Sequence, residues 1–370
     1  MKSDEEYMRR ALGLAENGIG FTAPNPCVGA VIVKDGRVIG EGWHRKFGDL
    51  HAERDALRLC RESPAGATMY VTLEPCCHYG KQPPCVDAII EAGIRRVVVG
   101  SDDPNPLVNG GGLAILKRHG IDVTEHVLKD ECDRLNAAFF HFIRTGRPYV
   151  VMKYAMTMDG KIATYTGASK WITGEEARVS VANMRHRCTA IMVGVGTVLA
   201  DDPLLTCRME GGKDPIRIIC DTSLRTPLTA RVVKTAAVVP TILATCCEDA
   251  DKIRAFEDMG CQVLKTDTCA GRVDLLSLMT LLGQQKIDSI LLEGGGTLNA
   301  AALSSGIVQK LEAYIAPKLF GGSGAKTPVE GEGVRDPSQA VLLTNSHVTR
   351  LGEDILIESE VAYPDVYRNH

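Results

Sequence analysis

The chain has 370 residues, of which 45% are hydrophobic and 24% are charged, and its formal net charge is -4 at pH 7. This length and composition predict two globular domains of ordinary size and exclude an intrinsically disordered chain. The charge is slightly acidic and no long run of like charges occurs, which disfavours a nucleic-acid-binding surface. Local basic pockets for a phosphorylated small molecule are still permitted.

No targeting or membrane segment is expected. The N-terminal segment is acidic and amphipathic, without the apolar core of a signal peptide, and no stretch approaches the roughly 18 apolar residues that a membrane helix needs. Thirteen cysteines in a chain without a secretory signal indicate reduced thiols, some of which are available as metal ligands. These features predict a cytoplasmic enzyme.

The first half of the chain alternates strands and helices. Apolar spacing from Glu5 to Ala15 predicts a helix that ends at Asn17-Gly18, and a hairpin follows with its turn at Asp35-Gly36. Further helices are predicted over 51–60, 85–93 and 113–120, and strands over 67–73, 94–100 and 121–127. This alternation predicts a three-layer α/β domain with a parallel or mixed sheet. We expect it to span residues 1–144, with a linker over 145–149.

The second half, residues 150–370, is predicted to form another α/β domain. Strands are predicted over 149–160, 191–196, 216–221, 238–245, 261–266, 289–295, 311–317 and 354–361, and helices over 174–187 and 273–285. No internal repeat or low-complexity tract interrupts either half.

A histidine and two cysteines form a candidate zinc site in the first half. His51 and Glu53 stand two positions apart at a predicted helix start, and Cys76 and Cys85 each follow a proline in TLEPCCHYGKQPPC. One imidazole and two thiolates suit Zn²⁺, and three protein ligands leave a fourth position for water. Glu53 can reach that water without ligating the metal and carry its proton to a leaving amine. The pattern predicts hydrolytic deamination of a nucleobase-like ring, although Tyr79 stands where zinc deaminases with Pro-Cys-x-x-Cys have their second cysteine.

Alternatives to this ligand set exist at the level of sequence. Cys77 and His78 could compete as ligands, although adjacent side chains diverge and the proline-flanked cysteines form the better pair. A purely structural zinc would require a fourth protein ligand and would not need Glu53. Several other cysteines are expected to be small buried hydrophobic residues; these are Cys60, Cys132, Cys188 and Cys220.

Four segments, APNPCVGAVIV, HAE, TLEPCCHYGKQPPC and DDPNP, together resemble the bacterial bifunctional riboflavin-biosynthesis family. The resemblance covers nearly the whole chain, and the long loop between the cysteines separates it from cytidine and tRNA-adenosine deaminases. It implies a cytidine-deaminase-like α/β/α first domain that deaminates a diaminohydroxy-phosphoribosylamino-pyrimidine. It implies zinc on His51, Cys76 and Cys85, with Glu53 as proton shuttle. The substrate contacts that it implies are Asn25, His78, Lys81, Asp103 and Asn105.

The chain departs from the family pattern at two positions. Cys77 stands where the family has serine, and Gln82 where it has threonine. A free thiol beside a zinc thiolate raises the risk of misligation or oxidation. Without the resemblance, Asn25 and Asn105, each flanked by prolines, would be interpreted as ordinary turn residues.

The second domain has weaker patterns of its own. SILLEGGGTLNAAAL predicts a strand, three glycines and a helix, an arrangement that lets a phosphate approach backbone N–H groups. It lacks the full Gly-x-Gly-x-x-Gly pattern, and alone it more often marks a tight turn. The dinucleotide site therefore depends on the resemblance: VVMKYAMTMDGKIA, SKWITG and GVGTVLADDPLLTCR are similar to the family's reductase domain, which resembles dihydrofolate reductase and uses NADPH.

By this resemblance, one group of residues would hold NADPH: Ala155, Trp171, Thr197, Asp201, Ser223, Gly295, Gly296, Thr297, Leu298, Asn299, Ala300 and Ala301. A second group would contact the phosphorylated sugar: Ser169, Arg185, Leu205, Arg208 and Glu293. Lys153 would polarise or protonate the reacting centre. Both arginines suit bidentate phosphate capture, and the alternative for each is a solvated surface position.

Three hypotheses follow. The first is a bifunctional enzyme, a zinc deaminase followed by an NADPH-dependent reductase on one pathway, assembled as a dimer or tetramer by family precedent. The second is a zinc deaminase of another nucleobase or nucleoside with a non-catalytic C-terminal domain. The third is a non-enzymatic zinc-stabilised protein, which a retained Glu53 disfavours. The first is the preferred interpretation, with a phosphorylated pyrimidine as substrate and neither nucleic acid nor membrane as partner.

Overall fold

The computed structural model describes residues 2–79, 82–106 and 108–364, and the chain divides into two compact units, Met1–Gly146 and Arg147–His370. The last helix of the first unit ends at Thr145, and the first strand of the second unit begins at Tyr149. None of the helices in the described ranges is long and apolar enough to cross a membrane.

The first unit is a mixed five-stranded sheet covered by helices on both faces. Its helices are α1 (Asp4–Glu16), α2 (Ala52–Arg58), α3 (Cys85–Glu91), α4 (Gly111–Arg118), α5 (Lys129–Leu135) and α6 (Ala137–Thr145). Its strands are β1 (Gly29–Lys34), β2 (Arg37–Trp43), β3 (Thr68–Leu73), β4 (Arg96–Ser101) and β5 (Asp122–Thr124). The sheet order is β2-β1-β3-β4-β5; β1 pairs antiparallel with β2 and β3, and β3, β4 and β5 are parallel.

Alternation along the strands of this sheet separates two hydrophobic clusters. Ile32 and Met69 face a cluster that includes residues of α2, α3, α4 and α6, whereas Val31 and Tyr70 face α1 and α5. A strand whose successive side chains are all apolar buries both of its faces. The predicted three-layer arrangement is therefore confirmed.

Local chemistry explains the predicted helix and hairpin at the N-terminus. Ser3 and Glu6 form a capping box at the start of α1, in which Ser3 Oγ accepts from the Glu6 N–H and the Glu6 carboxylate accepts from the Ser3 N–H. The hairpin turn has φ of 48° at Asp35 and 74° at Gly36, as its turn pair predicts. Two other predicted elements are shorter than expected: α2 ends before Cys60, and β5 covers three residues.

A glycine lets α2 lie directly on the sheet. A Cβ at Gly42 of β2 would lie 2.3 Å from the Ala56 nitrogen and 2.7 Å from the Ala52 oxygen, both of them backbone atoms of α2. The helix backbone cannot move aside as a flexible side chain could, so only glycine permits this distance. Because α2 begins beside His51, the position of the candidate metal site depends on this contact.

The second unit is a nine-stranded sheet with helices on both faces. Its helices are α7 (Glu175–Arg187), α8 (Val195–Asp201), α9 (Arg231–Lys234), α10 (Ala250–Asp258), α11 (Leu275–Gln284) and α12 (Gly296–Ser304), followed by a short 3₁₀ helix, Pro337–Gln339. Its strands are β6 (Tyr149–Thr157), β7 (Ala190–Gly194), β8 (Ile216–Cys220), β9 (Thr241–Thr245), β10 (Gln262–Lys265), β11 (Thr268–Cys269), β12 (Arg272–Val273), β13 (Ser289–Gly294), β14 (Lys310–Ala316), β15 (Leu342–Leu351) and β16 (Asp354–Ala362).

The order of the large sheet is β10-β9-β8-β7-β13-β6-β14-β16-β15, and β11 and β12 form a separate ribbon. The first seven strands in this order, from β10 at one edge to β14, are parallel to one another. Strand β16 is antiparallel to both of its neighbours. The chain places β7 to β10 on one side of β6 and then returns to insert β13 between β7 and β6. In parallel sheets such a reversal opens a crevice at the carboxyl ends of the strands, where ligands bind.

The predicted strands of this unit are present, and several are shorter than predicted: the strand over 149–160 ends at Thr157, and the strand over 238–245 begins at Thr241. The stretch 191–196 is a strand only to Gly194, after which α8 begins, because the chain leaves the sheet at the glycines. Strand β15 was not predicted: nearly all of its residues are exposed, so it lacks the alternation that marks a half-buried strand.

Replacement of Gly42 by alanine should destabilise the first unit by about 1–3 kcal/mol, because the new methyl group collides with the α2 backbone. Urea denaturation followed by circular dichroism measures this change. Gly13 of α1 is a matched control, since nothing lies within 4 Å of a Cβ added there. Gly13→Ala should stabilise α1 by about 0.5–1 kcal/mol. Equal midpoints for the two variants would contradict the close contact between α2 and β2.

Candidate active sites

Three segments of the first unit bring a histidine and two cysteines together. His51 is the N-cap residue of α2, Cys76 follows β3, and Cys85 is the first residue of α3. Their ligand atoms all lie within 4.8 Å of one another. The N–H groups of Cys85 and Val86 donate to the Cys76 carbonyl at 3.0 and 3.3 Å, which holds the end of the cysteine loop against α3.

The spacing of these atoms fits a zinc ion. Zinc bonds of about 2.3 Å to sulfur and about 2.0 Å to nitrogen, at a tetrahedral angle, place the two ligand atoms about 3.5 Å apart. His51 Nδ1 lies 3.5 Å from Cys76 Sγ and 3.3 Å from Cys85 Sγ. No fourth residue of the described part of the chain joins this group, so the donor set is that of a three-ligand site.

The cysteine pair is electrostatically prepared for a cation. The hydrogen bond from the Cys85 thiol, with further help from His51, lowers the pKa of Cys76 to about 4. Hydrogen bonding to Cys76 and burial raise the pKa of Cys85. The two sulfurs thus share one proton, which a bound metal cation would replace, because thiolates are the metal-binding form of cysteine.

Glu53 lies in the first turn of α2, beside the three candidate ligands. Its side chain is 4% exposed, and burial raises its pKa, to which the charge of Cys76 adds. A buried carboxyl with a raised pKa can exchange a proton near neutral pH. The position therefore suits a group that accepts a proton and returns it.

Two residues that were not selected from the sequence hold the loop around Asn25. The His44 ring lies 3.2 Å from Asn25 Nδ2 through Nε2, and its centre is 5.6 Å from that of the His51 ring in an edge-on arrangement. Asn136 bonds both backbone groups of Cys27, at 2.8 and 2.9 Å. His44 follows a strand end in GWH, a local pattern that could have drawn attention; Asn136 has no such pattern.

The Asp103 carboxyl is the second buried acid near the cysteines. It accepts a hydrogen bond from the Asn105 N–H at 2.9 Å. Burial raises its pKa to about 6, and the nearby charges of Glu74 and Cys76 add to this shift. Glu74 was also not selected from the sequence. Its carboxylate accepts from three N–H groups at the start of α4 and so fixes the segment after Asp103.

The remaining predicted substrate contacts of this unit lie on the long loop between the cysteines. His78 is partly buried, and its Nδ1 atom has no partner in the described part of the chain. Arg54 of α2 donates to the carbonyls of Pro83 and Pro84 at 3.2 and 2.7 Å, which ties the far end of the loop to the helix. Lys81 lies outside the described residues.

In the second unit, a partly buried ion pair joins α7 to β13. Arg185 of α7 forms a bidentate ion pair with Glu293 at 2.7 and 2.8 Å, and it donates to the Thr206 carbonyl at 2.9 Å. Burial alone would raise the pKa of Glu293, but the Arg185 charge outweighs it and lowers the pKa to about 2. Three donors of Arg185 are thus engaged, which leaves it less free for phosphate than the sequence suggested.

Lys153 stands next to this ion pair on β6. Its backbone neighbour on β14 is Glu312, and its ammonium lies 5.7 Å from the centre of the Tyr314 ring. Burial lowers the pKa of Lys153, whereas the Glu293 carboxylate opposes that change. An ammonium with a lowered pKa is a better proton donor than an exposed lysine.

The loop of residues 202–208 follows α8 and contains two of the predicted sugar contacts. Leu205 and Arg208 have φ of 54° and 60°, values that non-glycine residues adopt only under constraint. Leu205 is buried, whereas Arg208 is exposed and its side chain makes no hydrogen bond within the described ranges. Arg208 is close enough to Glu293 for its charge to lower the pKa of that group. It is the guanidinium available to a phosphate.

Three glycines open α12 at the carboxyl end of β13. Gly295 has φ of 127° and ψ of 154°, a conformation restricted to glycine. A Cβ at Gly294 would lie 2.1 Å from Asn299 Oδ1, and one at Gly296 would lie 2.5 Å from the Thr327 oxygen. A Cβ at Gly295 would meet only Thr197 Oγ1, at 3.6 Å, so the space above this glycine is open.

This cradle fits a dinucleotide phosphate. The N–H groups at the start of α12 are free of helix partners, and the backbone can approach a ligand closely at Gly295. Asn299 Oδ1 is buried without a hydrogen-bond partner in the described part of the chain. Thr197 Oγ1 donates to the Gly294 carbonyl at 2.8 Å, which joins the start of α8 to this turn.

The other predicted cofactor residues lie at the same end of the sheet or beside it. Ser169 Oγ donates to Asp201 at 3.4 Å, which links a predicted sugar contact to a predicted cofactor contact. Trp171 is 60% exposed and packs under the Arg178 guanidinium at 4.9 Å. Ser223 follows β8 and is exposed, and no hydrogen bond within the described ranges joins it to the others. Residues of the α12 segment and β6 complete the set: Thr297, Leu298, Ala300, Ala301 and Ala155.

Two family models match the chain, one in each unit. Residues 1–101 match the cytidine and deoxycytidylate deaminase zinc-binding region, and residues 148–357 match the RibD C-terminal domain. Each match coincides with the unit that carries the corresponding candidate site. The zinc and reductase assignments of the sequence are therefore supported independently of the geometry.

Relatives and solved structures match over nearly the full length. The riboflavin biosynthesis protein RibD of Actinobacillus pleuropneumoniae is 55% identical over 98% of this chain and 96% of that protein. RibD of Escherichia coli strain K12 is 41% identical over 96% and 98%. Acinetobacter baumannii RibD, form 1, has a TM-score of 0.87 at 37% identity and covers 97% of this chain and 99% of its own.

A Thermotoga maritima diaminohydroxyphosphoribosylaminopyrimidine deaminase/5-amino-6-(5-phosphoribosylamino)uracil reductase has a TM-score of 0.85 at 38% identity, with coverage of 97% and 99%. The fold class predicted from the sequence, a cytidine-deaminase-like domain followed by a dihydrofolate-reductase-like domain, is confirmed. The chain belongs to the RibD family of riboflavin biosynthesis proteins.

Proposed function

We propose that this chain catalyses two consecutive steps of riboflavin biosynthesis. It removes ammonia from 2,5-diamino-6-ribosylamino-4(3H)-pyrimidinone 5′-phosphate and then reduces the ribosyl group of 5-amino-6-(5-phosphoribosylamino)uracil to ribityl. Residues 1–144 carry the deaminase and residues 150–370 the reductase, joined by residues 145–149. The observation that carries this proposal is the cluster of His51, Cys76 and Cys85 with the buried Glu53 carboxylate beside it.

In the deaminase site, His51, Cys76 and Cys85 would hold zinc. When bound, the ion lowers the pKa of a water molecule and so supplies the nucleophile for attack on the ring carbon that bears the amino group. Glu53 accepts a proton from that water and delivers it to the departing amine, which leaves as ammonia. Burial raises the pKa of Glu53, which makes the carboxylate a stronger base toward that water than an exposed glutamate.

Substrate binding in this site is assigned to five residues: Asn25, His78, Lys81, Asp103 and Asn105. Asn25, held by His44, and Asp103, held by the Asn105 N–H, present amide and carboxyl groups to the edges of a pyrimidine. His78 and Lys81 stand on the long loop, where they suit a ribose phosphate. Because Asp103 has a pKa of about 6, it can donate as well as accept a hydrogen bond near neutral pH.

In the reductase site, the cofactor and the sugar phosphate would lie beside β6, at the carboxyl ends of β7 and β13. When bound, NADPH supplies the reducing equivalents for C1′ of the ring-opened ribosylamino group. The backbone from Gly295 to Ala301, with Thr197, Asp201, Trp171, Ala155 and Ser223, holds the cofactor. Ser169, Arg185, Leu205, Arg208 and Glu293 position the sugar phosphate. Lys153 donates the proton that the reduced group requires.

The assembly and location of the enzyme extend this proposal. We expect a homo-oligomer, a dimer or a tetramer, that acts in the cytoplasm on its phosphorylated pyrimidine and does not bind nucleic acid. The net charge of -4 supports the last point, because a nucleic-acid surface requires a positive excess. Analytical ultracentrifugation of the purified chain measures the oligomeric state.

Replacement of Glu53 by glutamine should separate the two activities. The variant keeps the shape of the side chain but cannot carry a proton, so ammonia release should fall about 10²–10⁴-fold. NADPH oxidation should remain at the native rate when the deaminated intermediate is supplied. Both rates are followed in parallel with the native protein. Native protein that releases ammonia but never oxidises NADPH, even with the intermediate, would exclude the reductase half of the proposal.

The zinc content of variants tests whether His51, Cys76 and Cys85, and not the adjacent Cys77, bind the metal. Native protein should contain one zinc per chain, and His51→Ala should lose it, because two ligands bind zinc far more weakly than three. Cys77→Ser is the matched control, since Cys77 is adjacent to Cys76 but is not in the group of ligand atoms. It should retain the full zinc content in metal analysis. Loss of zinc from Cys77→Ser would replace Cys76 by Cys77 in the ligand set.

The pH dependence of the reduction tests Lys153. If its ammonium donates the proton, the turnover number should fall as the pH rises through its pKa, and burial places this fall below the range of an exposed lysine. Glu293→Gln removes the carboxylate that raises this pKa, so the fall should move to lower pH. The pH profile of ammonia release by the same variant is the control and should not move. An unchanged reductase profile would show that Lys153 does not control the reaction.

A further inference from the structure

One arginine of the second unit is completely buried without an acidic partner. Arg217 of β8 is 0% exposed, and no carboxylate within the described ranges forms an ion pair with it. Its guanidinium donates to the Leu204 carbonyl at 3.2 Å, to Thr235 Oγ1 at 2.7 Å and to the Val239 carbonyl at 2.6 Å. Taking a charged group out of water is expensive, so a buried guanidinium that bonds only neutral groups needs a reason beyond packing.

The Leu204 contact joins Arg217 to the loop of residues 202–208. Three residues of this loop, Asp202, Leu205 and Arg208, have positive φ of 39°, 54° and 60°. Non-glycine residues hold such angles at a cost of about 1–3 kcal/mol each, and they persist only where surrounding groups enforce them. The loop conformation is therefore imposed from outside.

Four hydrogen bonds hold the conformation of this loop, at nearly every second residue. The Asp202 carboxylate accepts from the Arg231 N–H at 2.8 Å, and the Cys207 N–H donates to Asp214 at 2.7 Å. Between these ends, Arg217 holds the Leu204 carbonyl and Arg185 holds the Thr206 carbonyl. The two arginine contacts therefore flank Leu205, the predicted sugar contact between them.

We propose that Arg217 is a positioning residue of the reductase: it fixes the Leu204 carbonyl and thereby holds the 202–208 loop, with Leu205 buried at its centre, in the conformation that presents Arg208 to the phosphate of the substrate. This inference rests on the proposed reductase function. Arg217 touches neither substrate nor cofactor. A planar guanidinium bridges three acceptors from two segments of the chain, whereas the donors of a lysine all lie on one nitrogen and do not match this spread of acceptors.

Arg217→Lys in the full chain tests this role, with Arg254→Lys as the matched control. Arg254 lies on the exposed face of α10, far along the chain from the loop, and makes no side-chain bond within the described ranges. Arg217→Lys should raise the KM for the phosphorylated intermediate about tenfold or more and leave kcat within about threefold. Arg254→Lys should change neither. The Kd for NADPH, measured by quenching of tryptophan emission, should be native in both variants.

The substrate without its phosphate group separates positioning from stability. Arg208 is the group of this loop assigned to the phosphate, so Arg217→Lys should lower kcat/KM much less for the dephosphorylated riboside than for the phosphorylated intermediate. Equal losses of kcat/KM for both substrates, or an unchanged KM for the phosphorylated one, would overturn the inference. Native protein that releases ammonia yet never reduces the intermediate would overturn the proposed reductase and this inference with it.

A second variant covers the case in which Arg217→Lys does not fold. Thr235→Val removes one acceptor of the guanidinium, together with the bond from Thr235 Oγ1 to the Arg231 carbonyl, and changes neither a residue of the loop nor the charge. It should raise the KM for the phosphorylated intermediate in the same direction by a smaller factor, about threefold, with kcat and NADPH affinity unchanged. An unchanged KM in a folded Thr235→Val protein would contradict the proposal.

Discussion

Parallel pairing of strands decides where functional residues meet in both units. In the first unit β3 and β4 run side by side, and the segments that leave them carry Cys76 and Asp103. In the second unit β7 and β13 end together beside the middle of β6, which brings Lys153, Thr197 and the glycine turn near one another. Each chain segment must leave its strand at this edge, so its backbone and polar side chains are available to a ligand. The two chemistries differ, but the construction is shared.

The two sites use carboxylates in opposite electrostatic settings. Glu53 is buried and forms no ion pair within the described residues, and its pKa rises, which suits a group that exchanges protons. Glu293 is largely shielded from solvent, but Arg185 binds it in a bidentate pair and lowers its pKa to about 2, so it stays an anion. The same residue type thus becomes a proton carrier in one unit and a fixed charge in the other. The difference lies in the neighbouring charge rather than in the degree of burial.

Local patterns predicted much of this structure, and long-range contacts were the part that they could not supply. The apolar spacing of α1, the Asp35-Gly36 turn and the helix starts at His51 and Cys85 are all encoded by neighbours in the chain, and each is present in the structure. Asn136 forms hydrogen bonds with the backbone of Cys27, 109 positions away, and no local pattern near either residue predicts them. Strand β15 was not predicted because nearly all of its residues are exposed in this chain. It therefore lacks the alternation of apolar and polar residues on which strand prediction depends. Arg217 lies in a strand of mostly apolar residues, and the sequence around it does not predict its three hydrogen-bond acceptors, which lie elsewhere in the chain.

The glycine turn before α12 affects how sequences of this kind are compared. Three consecutive positions exclude every side chain, two because neighbouring atoms fill the space and one because of its backbone angles. The fold therefore requires glycine at these positions, whatever reaction the enzyme catalyses. Glu293, immediately before them, is constrained instead by its charge. The glycines thus serve the fold of the turn as well as the proposed cofactor site, whereas the Glu293 carboxylate serves through its charge. Substitutions that change reactivity without harming the fold should thus be sought at the carboxylate and not at the glycines.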